Sequence, residues 1–422
     1  MLAGVSCAAL AVANWLPMSA SAADFTASDE ASLIAAINAA NASPDVSSTI
    51  RLTGSFGVLG STSLPTPTKN LTIDTQGFVL SGTPNAPSPG SVLFGGAPLS
   101  GTLTINGSLV GAAQGGGIAP GNGLSWNAGG GSTAQLVNDG SITGGAATTG
   151  LRGAVGVSLG NPATFVNNGT VSGGAGISTS GSSNGAGVNQ TAGSTVINNA
   201  SGTILGGSGQ GTGSAGAGVY IRSSTAPATF TNFGTVRGGS VATGVGNSAI
   251  IVQGGSTYAA TINNSGLLIG GNGMAAISSV GATNIVSLVN SGTIQAGTGS
   301  TTAIAFGTSS SSIAALELQA GSQIIGDVIA SATGSLDVLR LGGSANASFD
   351  VSAIGPAAQY QNFDILEKTG TSTWTLTGIG SFTGPTNVIA GTLSVNGSLA
   401  GSAVTVQSGA TLAGSGTVGA TT

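Results

Sequence analysis

Catalysis needs groups that titrate, attack or hold a cation, and this chain of 422 residues carries few: seven Lys or Arg, twelve Asp or Glu, one Cys and no His. Without His the commonest general base and metal ligand is missing. A serine nucleophile would then depend on a lysine or a carboxylate as its base, and the only lysines are Lys69 and Lys368. Glycoside cleavage needs two carboxylates about 5 to 10 Å apart. Between Gln76 and Ser312 the only ionisable acidic or basic side chains are Asp139, Arg152, Arg222 and Arg237, so Asp139 has no acidic partner one repeat away. The acids Asp327, Asp337, Asp350, Asp364 and Glu367 are more closely spaced and are the remaining candidates for a pair. No zinc or EF-hand spacing occurs, and the Gly-Gly-x-Gly-x-Asp calcium repeat is not present. Gly206 to Gly211 is glycine-rich, but neither a lysine nor a helix start follows it, so it does not read as a phosphate loop. No catalytic residue, cofactor-binding residue or metal ligand is expected.

Composition points the same way. Only 5% of residues are charged, 76 are Gly and 40% are hydrophobic, with a positive mean hydropathy. Disordered chains combine high charge with little apolar content, so this one is expected to fold. The net charge of −5 and the absence of any basic run argue against nucleic-acid binding. The single cysteine, Cys7, excludes an internal disulfide framework.

The first segment is apolar and small from Leu2 to Leu16, is broken by Pro17, and runs through Ala20-Ser21-Ala22 into Ala23-Asp24. That is the A-x-A pattern of a signal-peptidase site, so residues 1–22 are expected to be a signal peptide cut after Ala22. No Lys or Arg precedes the apolar run, which fits a recorded start inside a longer leader.

Residues 23–98 are expected to form a cap and the first coils. Asp29 to Asn41 places Leu33, Ile34 and Ile37 on one helical face with acids in the first turn, and ends before Pro44. Thr49 to Leu52 and Leu71 to Leu80 alternate as strands do. Such a helix can cover the open first layer of a solenoid.

Residues 99–312 repeat a motif of apolar-Asn-x-Gly-Thr/Ser-Ile/Val, in units that hold Asn106, Asn138, Asn167, Asn198, Asn232, the pair Asn263-Asn264, and Asn290. The glycines that follow are spaced 26 to 33 residues apart, a period of stacked coils. Within one unit, Ala163 to Asn167, Gly169 to Ser172 and Gly187 to Asn189 read as three short strands between glycine-rich turns. Stacked at about 4.8 Å they would make long parallel sheets. The glycines are expected to supply positive φ at the turns, and the asparagines to hydrogen-bond in a ladder. Roughly a dozen coils would extend about 60 Å.

Residues 313–422 carry a resemblance. Phe363-Asp364-Ile365-Leu366-Glu367-Lys368-Thr369-Gly370, Thr373-Trp374-Thr375-Leu376-Thr377-Gly378, and Ser381 through Asn387-Val388-Ile389-Ala390-Gly391-Thr392-Leu393 to Leu399 closely resemble the passenger-associated repeat of autotransporters. Ala403 to Gly419 extends it, and Ile324 to Val328 with Leu336 to Gly343 look like the coils that precede it. The resemblance implies an all-β chain, a right-handed parallel β-helix with a short N-terminal capping helix. It also implies type V secretion through an outer-membrane β-barrel translocator, and display at or release from the surface of a Gram-negative cell. Asp364 and Glu367 fall inside that repeat, which gives them a structural explanation. Barrel strands with aromatic girdles do not follow Leu376, so the sequence reads as part of a longer product, as an interrupted frame, or as a passenger exported by a separate partner.

The function expected is a non-enzymatic surface adhesin or self-associating rod, its partner a host or neighbouring-cell surface or a second copy. Alternatives are a β-helix enzyme acting on polysaccharide and an inert stalk. Arg152, Arg222 and Arg237 recur through the coils as a candidate contact edge or as solvated turn residues.

Overall fold

The computed structural model describes residues 22–422, apart from 60–62, 84–89, 96–100, 116, 128–132, 149, 161, 178–184, 192, 210–214, 223–225, 254–257, 282–284, 308–311 and 334–335. The expected leader, 1–22, lies outside the described residues but for Ala22, and so does the expected boundary at 98/99.

The chain opens with a short strand, Ala23–Ala27, and one helix, Glu30–Ala42. Asp29 starts the helix: its carboxylate accepts the Ser32 N–H at 2.7 Å while Ser32 Oγ accepts the Asp29 N–H at 3.0 Å. That reciprocal pair satisfies two of the donors a helix N-terminus leaves open. Leu33, Ala36, Ile37 and Ala40 are buried, and Ile34 packs half-exposed beside them. The helix lies against Ala23–Ala27, Ser47–Leu52 and Phe56–Leu59, covering the first core layer as a cap should.

From there the chain winds as a parallel β-helix with three faces. On the first face, fifteen strands from Ala23–Ala27 to Val404–Val406 stack in parallel among the described residues. The stack is longer than the dozen coils expected and extends about 70 Å at the usual strand spacing.

The register explains the core. Leu103, Leu136, Phe165, Val196, Phe230, Ile262, Leu288, Leu316, Leu339 and Leu366 occupy successive rungs of one inward column, and all are buried. Leu80, Leu109, Ile142, Val171, Ile204, Val236, Leu268 and Ile294 do the same on the second face. Val92, Leu124, Val157, Val188, Val219, Ile250, Ile277, Ile304 and Val328 do so on the third. Each inward residue is covered by its equivalent in the coils above and below, so a strand of three or four residues persists only within the stack.

Among the motif glycines Gly107 has the expected positive φ, at 124°, and the later ones differ from expectation in their reason. Gly140, Gly169, Gly202, Gly234, Gly266 and Gly292 are not in the positive-φ region. They form a column so close-packed that a Cβ on Gly169 would fall on the carbonyl oxygen of Gly140, and one on Gly234 on that of Gly202. Steric approach between coils, and not turn conformation, excludes a side chain here. Left-handed backbone does serve at the corner of Asn70–Thr83, where Gln76 and Gly77 have φ of 53° and 83° and the strand passes from the first face to the second.

The second face ends at Gln323–Ile325, and Ala347–Asp350 starts a separate four-stranded stack with Thr373–Thr377, Thr392–Val395 and Thr411–Ala413. The final coils are shorter: Leu366 pairs with Thr386, which pairs with Val404.

Candidate functional site

The motif asparagines converge on a buried ladder. Asn138 donates from Nδ2 to Asn167 Oδ1 at 2.7 Å, and Asn167, Asn198, Asn232 and Asn264 each donate to the next at 2.8 Å. Asn290 ends the series on Ser322 Oγ at 2.7 Å. Each amide also donates to the carbonyl of its own motif glycine, Asn232 to Gly234 at 3.1 Å for example. Both donor hydrogens and the oxygen are thereby used, the condition for a polar column in an apolar interior.

One unit, that of Asn106, falls differently from the sequence reading, and the pair Asn263-Asn264 is resolved. Ile105, not Asn106, is the rung beneath Asn138, and Asn106 is exposed. Asn264, not Asn263, continues the ladder, which turns Asn263 outward. Beyond the ladder the column runs through Leu318 and Leu341 to Lys368. Lys368 is fully buried, and its ammonium donates to the carbonyls of Thr369, Gly370 and Ala390. Burial pushes its pKa down, partly opposed by Glu317. Lys69 donates to the carbonyl of Ser43. Both lysines are thus held by backbone oxygens rather than by a serine hydroxyl.

The acids are similarly engaged. Asp337 is buried and accepts from the Ala314 and Ser331 N–H groups at 2.7 and 2.8 Å; desolvation raises its pKa despite these bonds. Its own N–H donates to the Asp364 carboxylate at 2.8 Å, which joins two coils. Beside them a cleft of about 320 Å³ is lined by Asp364, Phe363, Ser381 and Phe382. Glu367 pairs with Arg340 at 2.7 Å. Asp350 caps the turn Val351–Ala353, and hydrogen bonds from the Ser352 hydroxyl and N–H lower its pKa. Asp327 opens the strand Asp327–Ile329. Asp139 accepts from Asn168 Nδ2 at 2.6 Å. Among the described residues no group of three or more His, Cys, Asp or Glu could hold a metal ion.

Arg152, Arg222 and Arg237 do not share an edge. Arg222 ends a third-face strand with its guanidinium 4.8 Å from the Tyr220 ring centroid, Arg237 ends a second-face strand, and Arg152 sits in the irregular segment before Val157–Gly160. All three are exposed, at strand ends or in irregular chain.

The outer surface of the first face is more continuous. Gln135, Thr164, Thr195, Thr229, Thr261 and Ser287 form one outward column, and Val137, Val166, Ile197, Thr231, Asn263 and Val289 the next. Neither column carries a charge over these six coils. At the adjoining corner stand Asp139, Asn168, Asn199, Phe233, Ser265 and Ser291, each directly after a ladder asparagine. Phe233 is 50% exposed. Beside it a groove of about 440 Å³ is lined by Thr231, Asn263, Ser265, Val289, Ser291 and Gln319. The sequence did hold the signal, an aromatic as the variable residue of one Asn-x-Gly motif, but its exposure followed only from the register.

The architecture is that of a solenoid, a parallel β-helix with one capping helix. Residues 366–395 match the family model described as the passenger-associated-transport-repeat. That match supports an autotransporter passenger with β-strand repeats, and the repeat family implies secretion or cell-surface display in Gram-negative bacteria. No curated protein and no solved structure matches the chain. Among the described residues no helix is long and apolar enough to cross a membrane.

Proposed function

We propose that this passenger is a non-enzymatic contact rod, adhering to a host or neighbouring-cell surface or to copies of itself after export through a β-barrel translocator. The observation that carries this reading is the uncharged outward surface of the first face, repeated over six coils. Repetition at one spacing lets individually weak polar contacts add through multivalency, and low charge lets a partner approach without long-range repulsion.

The test is an in-register excision. Removing 135–314 would bring Ala315, which stacks in the column of Gln135, onto Thr102 and leave a shorter rod. Binding of the displayed passenger to cell monolayers, and its sedimentation with itself, should then be lost. Unchanged binding would make these coils a stalk. New reducing ends or unsaturated products from polysaccharides incubated with the intact rod would favour an enzyme instead.

A further inference from the structure

The corner after the ladder is polar in five of the six coils, and the sixth holds Phe233, 50% exposed. The groove beside this ring has an unusual supply of uncommitted polar groups. Asn263 points outward, half-exposed, and its amide has no hydrogen-bond partner among the described residues. Ser265 and Ser291 make only long contacts to backbone carbonyls, 3.4 and 3.5 Å. Thr231 and Gln319 complete the rim, and none of the lining residues is charged. The first charge along the column is Glu317, whose Oε1 takes the Gln319 amide at 2.7 Å.

We infer that this groove is a binding site for a neutral, hexose-containing glycan. An exposed aromatic ring offers an apolar platform for the C–H face of a pyranose. An amide is donor and acceptor at once, matching a pair of neighbouring sugar hydroxyls. Other ligand classes fit less well. A phosphorylated or acidic ligand needs an arginine or lysine, and the lining has none. A cation needs several carboxylate oxygens. An extended peptide added as a strand needs an open sheet edge, and the strands here are paired on both sides, above and below. Glu317 would disfavour anionic sugars, and as a single carboxylate it does not supply the pair used to cut them. This inference rests on the contact-rod reading and gives it a ligand class.

The column supplies substitutions the fold already accepts. Phe233→Ser installs the residue that the next two coils carry at this corner, and Asn263→Val the residue that Val289 places one rung on. Binding of cellohexaose, maltohexaose, a galactan hexasaccharide and a heparin hexasaccharide would be measured by titration calorimetry on the full chain, with Thr164→Ala as control. At least one neutral probe should bind. Both groove variants should weaken it about tenfold or more, and the control should not. Failure of every neutral probe, preference for heparin, or wild-type affinity in both groove variants would overturn the assignment. Cell adhesion is assayed in parallel: adhesion that persists without neutral-glycan binding removes this site and leaves the contact-rod reading standing, whereas loss of neither binding nor adhesion on excising 135–314 removes both.

Discussion

Asn198 shows what a single residue does in this fold. It receives a hydrogen bond from Asn167 and gives one to Asn232, so its side chain completes two neighbouring coils as well as its own. Asn198→Leu would leave a buried donor on Asn167 and a buried acceptor on Asn232 without partners. The cost of such orphaned groups is about 1 to 3 kcal/mol. Hydrogen exchange should show it locally, at the amides of Asn199 and Phe233, which bond to the Asn167 and Asn198 carbonyls. Replacing all six ladder asparagines with Leu should cost less per site, since no ladder amide is then left without its neighbour. Equal losses per site in the single and the sixfold variant would contradict the ladder's cooperative character. The motif was legible in the sequence, yet Asn106, which lacks the residue between Asn and Gly, was grouped with Asn138. A one-residue change of register moves a side chain to the opposite face, and only pairing shows that Ile105 takes the inward place.

At the scale of elements, the helix was the easiest to read because its determinants are local: Asp29 and Ser32 cap it, and Leu33 and Ile37 share its buried face. The strands were legible as a set of repeats, since each has only three to six residues in the central coils and gains its stability from its neighbours. What the sequence misattributed was the glycine column from Gly140 to Gly292. Positive φ is a property of one residue, whereas the collision that excludes a Cβ at Gly234 is with Gly202 in the preceding coil. Gly234→Ala should therefore destabilise the rod by about 1 to 3 kcal/mol through overpacking. Gly54→Ala, where a Cβ would meet nothing within 4 Å, should stay within about 0.5 kcal/mol. Thermal unfolding of the two variants provides the comparison, and equal shifts would refute the inter-coil explanation.

For the whole molecule, the distribution of charge matters more than its total. The described ion pairs lie towards the two ends, Asp24 with Arg51 and Arg340 with Glu367, while the outward columns of the first face are neutral over the six coils from Gln135–Asn138 to Ile285–Asn290. Contact through that face should be nearly independent of salt, because screening acts on charges. Adhesion measured at low and at high ionic strength tests this, and a steep loss in salt would move the contact surface to the charged ends. Composition and period by themselves determined that the chain is a stack of coils with an apolar interior, a capped head and little catalytic inventory, because those depend on residue types and their spacing along the chain. Tertiary structure decided which asparagines join the ladder, where the buried Lys368 stands, why the motif glycines are glycine, and that Phe233 faces an open groove. Each of these is a contact between residues about one coil apart, and its partner is set by the register between coils, which the spacing within a single coil does not specify.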